Sequence, residues 1–208
     1  EIRADMATGR QMNRLLQGDV GSGKTIVAFL AMLYMVSNGY QAAIMAPTEV
    51  LARQHANDFA SMIDEFGLDY KVVCLTGSTK ASERKEINEI ITLEASVFIV
   101  GTHALIQEKV EYNNLGLVIT DEQHRFGVKQ REAFSSKGIS PFTIVMSATP
   151  IPRTLSMILY LGMEQSIIKD VPKMKLPIKN CVVKENMRPQ SYKHILGEIK
   201  KGHQAYII

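Results

Sequence analysis

The chain has 208 residues, 46% of them hydrophobic and 22% charged, with a net charge of +3. This is the composition of a globular protein with enough apolar surface for one full core and part of another, and no run of 18 apolar residues offers a membrane span. The two cysteines, Cys74 and Cys181, lie far apart without C-x-x-C spacing, which argues against a zinc site or a disulfide framework and predicts a reducing cytosol. The first residue is Glu1 and the chain ends in an apolar run at Ile207 and Ile208, so a piece of a longer protein is expected.

In chain order, Glu1 to Ala7 reads as the tail of a helix broken at Gly9. Leu15 and Leu16 read as the end of a short buried strand, and Ile26 to Val36 as a helix. Gln41 to Ala46 is predicted as a strand ending at Pro47. Glu49 to Phe66 follows as a helix with Leu51, His55, Phe59, Met62 and Phe66 on one face. Further strands are expected at Tyr70 to Leu75, Ser96 to Val100, Leu115 to Thr120 and Phe142 to Met146. Helices are expected at Glu83 to Leu93, burying Ile87, Ile90 and Ile91, and at Thr154 to Leu161. Alternation of this kind predicts an α/β domain with a parallel sheet covered by helices on both faces, and ligands past the carboxyl ends of its strands.

From about Ser166 the pattern changes. The first domain is therefore set at residues 1–170, a proline- and lysine-rich linker at 171–177, and the incomplete start of a second α/β unit at 178–208. That unit comprises a strand at Ile178 to Val183, a helix at Pro189 to Lys201 and a strand at Gln204 to Ile208. Val171 to His203 carries eight Lys/Arg against two Asp/Glu. This excess is either a solvated linker and helix face or a phosphate-contacting surface.

The chemistry starts at Gly18-Asp19-Val20-Gly21-Ser22-Gly23-Lys24-Thr25, which fits the phosphate-binding loop G-x-x-x-x-G-K-[ST] at every specified position and sits between a strand and a helix. Its glycines permit a tight turn with N–H groups aimed inward, and the helix end adds positive potential. Lys24 is expected to reach the β- and γ-phosphates and the Thr25 hydroxyl to bind magnesium. Asp121-Glu122 follows an apolar strand, where one carboxylate can hold magnesium, usually through water, and the other can orient and deprotonate the attacking water.

The ordered set comprises this loop, Ala46-Pro47-Thr48-Glu49-Val50-Leu51-Ala52, Thr76-Gly77, Gly101-Thr102-His103, Asp121-Glu122-Gln123-His124 and Ser147-Ala148-Thr149. It resembles the superfamily 2 helicases and translocases. Met12 to Gln17, Arg125-Phe126-Gly127-Val128 and Pro150-Ile151-Pro152-Arg153-Thr154-Leu155 narrow the resemblance to the RecG family of bacterial DNA helicases, with Mfd-type translocases as near relatives.

The resemblance implies a RecA-like fold, the truncated start of a second RecA-like domain, and ATP and Mg2+ as nucleotide and metal. It implies double-stranded and branched DNA (forks and Holliday junctions) as the partner, action as a monomeric motor, and a place in the bacterial cytoplasm at the nucleoid. Pro47, Thr48, Glu49, Thr76, Gly77, Gly101, Thr102 and His103 would then face the DNA backbone, while His124, Ser147, Thr149 and Arg153 would couple the γ-phosphate to those contacts. Without the later arginine-bearing motifs of a second motor domain, the 208 residues are expected to bind nucleotide and hydrolyse it poorly. An Mfd-like translocase and a nucleotide-gated binding module without motor activity are the alternative readings.

Overall fold

The computed structural model describes residues 1–121, 134, 137–138, 140–148, 163–170 and 180–206. The chain divides into two compact units, Glu1–Pro172 and Lys173–Ile208.

The first unit is built on a parallel sheet. Its elements are α1 (Ile2–Met6), β1 (Asn13–Gly18), α2 (Lys24–Ser37), β2 (Gln41–Met45), α3 (Glu49–Glu65), β3 (Lys71–Leu75), α4 (Ala81–Leu93), β4 (Val97–Gly101), β5 (Leu115–Thr120), β6 (Phe142–Ser147) and β7 (Glu164–Ile168). The strand order is β3-β4-β2-β5-β6-β1-β7, and every pairing is parallel.

β2 and β4 are buried along their whole length, which explains why they read as continuous apolar runs rather than alternating ones. Alternate residues supply two cores. Ala42, Ile44, Phe98, Val100, Leu117 and Ile119 pack with Phe29 and Met32 of α2 and Phe59 and Ile63 of α3. Ala43, Met45, Val97 and Ile99 point the other way and pack with Ile87 and Ile91 of α4. The expected fold, a parallel sheet with helices on both faces, is the fold observed. Among the described residues no helix is long and apolar enough to cross a membrane.

Four expectations are corrected. The buried face of α3 is Ala52, His55, Phe59 and Ile63, and Phe66, assigned to that face, is 62% exposed. The helix stops one residue earlier, so Phe66 is carried off the stripe. β7 was read as the beginning of a change in pattern, not as part of the sheet. It is a half-polar edge strand, Glu-Gln-Ser-Ile-Ile, paired on one side with β1 and with none of its residues buried, so neither face demands an apolar run.

The buried Arg14 of β1 fastens β7 through Ser166, at 2.7 Å, and Glu164, and reaches Asp5 of α1. In the second unit, residues 180–183 carry no strand and Val182 is fully exposed, and residues 204–206 also lack one, with Tyr206 85% exposed. Neither segment has a partner strand among the described residues. The expected helix is present as α5 (Arg188–Lys200), with proline in its first turn and no buried residue. The proposed linker at 171–177 and the helix at 154–161 lie outside the described residues.

Phe98 is fully buried, with ring centroids 5.6 Å from Phe29, 6.3 Å from Tyr70 and 6.4 Å from Phe59. Phe98→Ala is expected to cost about 3–5 kcal/mol in urea unfolding, whereas Phe66→Ala should stay within about 0.5 kcal/mol of the parent chain.

Candidate nucleotide and nucleic-acid site

Because all strands run the same way, their carboxyl ends share one edge. Along it stand Thr76 after β3, Thr102 after β4, Pro47 and Thr48 after β2, Asp121 after β5, Ser147 closing β6 and Gly18 closing β1. At about 4.8 Å between strands, the row from β3 to β1 spans roughly 24 Å. The residues read as facing DNA follow β3, β4 and β2, those read as binding nucleotide and magnesium lie at β1 and β5, and Ser147, read as coupling, closes β6 between them.

The phosphate loop begins where β1 ends at a buried Gly18. A Cβ on Gly18 would stand 2.4 Å from Ser22 Oγ and 3.2 Å from Ile168 Cβ, so glycine lets the loop fold back without displacing those side chains. Gly21 and Gly23 have φ of 76° and 95°, the left-handed region that glycine enters freely. Gly23 is the N-cap of α2, and Lys24 and Thr25 form the first turn. Inside the loop Ser22 N donates to Asp19 O at 3.1 Å, and Val20 N to Asp19 Oδ1 at 2.7 Å.

The Lys24 ammonium lies across the loop, donating to Gly18 O at 2.7 Å and Asp19 O at 2.9 Å. Ser22 Oγ is buried with no partner among the described residues. A glycine-built loop with one ammonium and an unsatisfied hydroxyl at a helix N-terminus suits a phosphate chain.

Asp121 is placed by the ladder itself, since its N–H donates to Met45 O of β2 at 2.9 Å. Its side chain is largely buried, and Oδ2 lies 3.0 Å from Nε2 of the buried His55 on α3. His55 was read from sequence as part of an apolar helix face, and its one distinguishing signal was being the polar residue in that stripe. Ser147 is buried beside Gln17 in the register of β6 with β1. Glu122, His124, Thr149 and Arg153 lie outside the described residues.

Magnesium requires oxygen donors. Among the described residues no cluster of three or more His, Cys, Asp or Glu stands together, so these residues offer no cage made of protein alone. The Thr25 hydroxyl and the Asp121 carboxylate fit the alternative of one or two protein oxygens completed by phosphate and water, the usual arrangement for this ion.

The other half of the edge is shaped by hydrogen bonds between loops. Thr48 caps α3, its Oγ1 accepting from Leu51 N at 3.3 Å. Glu49 is clasped to the loop after β3. Ser78 N donates to Oε1 at 3.0 Å and Ser78 Oγ donates to Oε2, while Arg53 reaches Ser78 Oγ at 3.4 Å. A Cβ on Gly77 would stand 3.1 Å from Glu49 Oε1.

Thr48, Gly77 and His103 are exposed and Pro47 and Glu49 half-exposed, but Thr76, Gly101 and Thr102 are buried. These last three shape the surface rather than present side chains on it. Thr76 closes its turn against Ser78 and Thr79 and gives its carbonyl to Arg84 at 2.7 Å. A Cβ on Gly101 would stand 2.2 Å from Leu75 O. Arg53 and Ser78, both exposed, were absent from the expected set because nothing in their local sequence marks them.

The hydrogen bond from the Ser78 hydroxyl, above all, holds the Glu49 carboxyl below its ordinary value of 4.5. A depressed carboxylate contributes stability above the unfolded value and loses it as pH falls through the folded one. In an NMR titration Glu49 should therefore titrate below 4.5, and Ser78→Ala should move its midpoint up toward that value.

The sequence profile of the DEAD/DEAH box helicases matches residues 3–158. The chain is 50% identical over 208 residues to the ATP-dependent DNA helicase RecG of Streptococcus pneumoniae, covering all of this chain and 30% of that protein. It is 47% identical over 210 residues to RecG of Aquifex aeolicus, covering all of this chain and 26% of that one. The chain thus spans less than a third of the length of these relatives.

Among solved structures it superposes on RecG bound to a three-way DNA junction with a TM-score of 0.84 and 40% identity, over 100% of this chain and 27% of that one. A DEAD box protein from Methanococcus jannaschii, at 22% identity and a TM-score of 0.61 over 80% of this chain and 47% of the other, shares the fold. With the phosphate loop, the acidic strand end and the capped α3 in place on one sheet edge, the chain belongs to the DEAD/DEAH box helicase family.

Proposed function

We propose that this chain is the first motor domain of a RecG-type helicase, which uses ATP hydrolysis to move on double-stranded DNA and remodel forks and junctions. The observation that carries the reading is the division of one strand edge into a phosphate cradle at β5, β6 and β1 and a capped, loop-braced surface at β3, β4 and β2. The two halves meet where Asp121 N bonds Met45 O across the β2–β5 seam. The similarity to a RecG bound to a three-way junction supports branched DNA as the partner.

In this reading the loop N–H groups and the first turn of α2 hold the β- and γ-phosphates. Lys24 exchanges its two loop carbonyls for anionic oxygens, a stronger charge-assisted bond. Thr25 and Asp121 would hold Mg2+, which neutralises charge on the phosphates. Glu122, next in the chain after Asp121, orients a water and accepts its proton. The water oxygen bonds the γ-phosphorus as the bond to the β–γ bridging oxygen breaks, giving ADP and phosphate.

Across the seam, the N-terminus of α3 carries partial positive charge and a Thr48 hydroxyl that already accepts from Leu51. That hydroxyl can still donate to a DNA phosphate. Glu49, with both carboxylate oxygens engaged by Ser78, serves to hold the β3 loop beside that helix end. Contacts of this kind read the backbone and not the bases, as a sliding motor requires.

Steady-state ATP hydrolysis by the intact helicase should rise strongly with forked DNA, and Lys24→Ala and Glu122→Gln should each remove most of that activity. The 208-residue chain alone should bind nucleotide and turn it over slowly, because an arginine supplied across a motor cleft contributes about 10³ to 10⁵ in rate. Hydrolysis indifferent to DNA would contradict the proposal.

A further inference from the structure

His55 belongs to none of the residues assigned so far to nucleotide or DNA. It lies at the end of the second turn of α3, seven residues past Thr48 or about 10 Å along the axis, and is 4% exposed. Its ring stacks on Phe59 at 5.9 Å with an interplanar angle of 16°. Nε2 meets Asp121 Oδ2 at 3.0 Å, and Nδ1 is buried with no partner among the described residues. A carboxylate only accepts, so Nε2–H donates.

A purely apolar helix stripe would have been served better by leucine. Burying an imidazole with one nitrogen unpaired carries a desolvation cost, and the one polar bond obtained for it goes to the carboxylate at the end of β5. Fixing one oxygen of that carboxylate fixes its plane and thereby aims the other. Protein groups that bond a metal-holding side chain from behind commonly set its orientation and basicity.

We infer that His55 is a positioning residue for Asp121, holding that carboxylate in the orientation from which it takes magnesium and tying it to the helix that begins at Thr48. The inference rests on the reading of Asp121 as the magnesium-holding group. It adds a mechanical link, in which a shift of α3 reaches the nucleotide site through one helix and one hydrogen bond.

The test uses the full-length protein and a fluorescent ATP analogue, with affinity measured across a Mg2+ titration and again in EDTA. His55→Phe keeps an aromatic ring to stack on Phe59 but removes the donor, at the cost of a somewhat larger side chain. His55→Gln keeps an N–H donor at the distance of Nε2, and Asp121→Asn tests the underlying reading. Melting temperatures show that each variant is folded, and the ratio of affinities with and without Mg2+ cancels any general loosening.

The expected result is an apparent Mg2+ affinity weakened about tenfold in His55→Phe, the lower end of the range for removing such a supporting group. Affinity in EDTA should be unchanged, and His55→Gln should lie within about threefold of the parent. Wild-type Mg2+ dependence in His55→Phe beside a weakened Asp121→Asn overturns the inference while leaving the role of Asp121 intact. Equal weakening with and without Mg2+ also overturns it, since that marks a structural role. An Asp121→Asn variant with unaltered Mg2+ dependence overturns the reading beneath it.

Discussion

Backbone pairing past the ends of the strands is the constraint on which the functional edge depends. The ladder does not stop where the strands do. Ala46 N bonds Gly101 O at 2.8 Å, Thr102 N bonds Leu75 O at 3.2 Å and Asp121 N bonds Met45 O at 2.9 Å. Each bond carries the register of a largely buried strand into the first residue of its loop. Loops that would otherwise be free to wander are thereby set relative to one another with the accuracy of a sheet, the precision that chemistry on a triphosphate demands. The parallel arrangement makes this possible, since it sends every strand's polar continuation to the same side.

Tolerances at this edge are small, and the residue types follow from them. Gly101 leaves no room for a Cβ against Leu75 O, and Gly18 leaves none against Ser22 Oγ. Glu49 and Ser78 brace the loop after β3 against the start of α3. The surface proposed to meet a nucleic-acid backbone therefore consists mainly of a helix end, small residues and loops held from within. It has few long side chains that would need ordering on contact, and that lowers the entropic cost of repeated binding and release.

Much of this was legible in the sequence, for physical reasons that differ by element. The phosphate loop was visible because its glycines answer to backbone geometry and its lysine and threonine to phosphate and magnesium chemistry, all within eight consecutive residues. β2, β4 and β5 were visible because burial on both faces leaves uninterrupted apolar runs. β7 was not, because as an edge strand its sequence answers mainly to Arg14, 150 positions from Glu164 in the chain, and such long-range pairing leaves no local periodicity. The burial of Thr76 and Thr102 was hidden as well: a threonine after a strand reads the same whether its hydroxyl faces solvent or the turn beneath it. His55 falls in the same class, since only the fold brings it to Asp121, 66 residues later.

With nucleotide and DNA on the two halves of one edge, as proposed, a shift of α3 carried through the His55–Asp121 hydrogen bond and the β2–β5 seam makes each bias the other's binding. Linkage requires the effect to be reciprocal. The direct test is to measure, in the intact helicase, the affinity for a three-way DNA junction with and without a non-hydrolysable ATP analogue, and the affinity for the analogue with and without the junction. Both should change, and by the same factor. Junction affinity that does not respond to bound nucleotide would contradict this coupling, leaving two independent sites that happen to share a sheet.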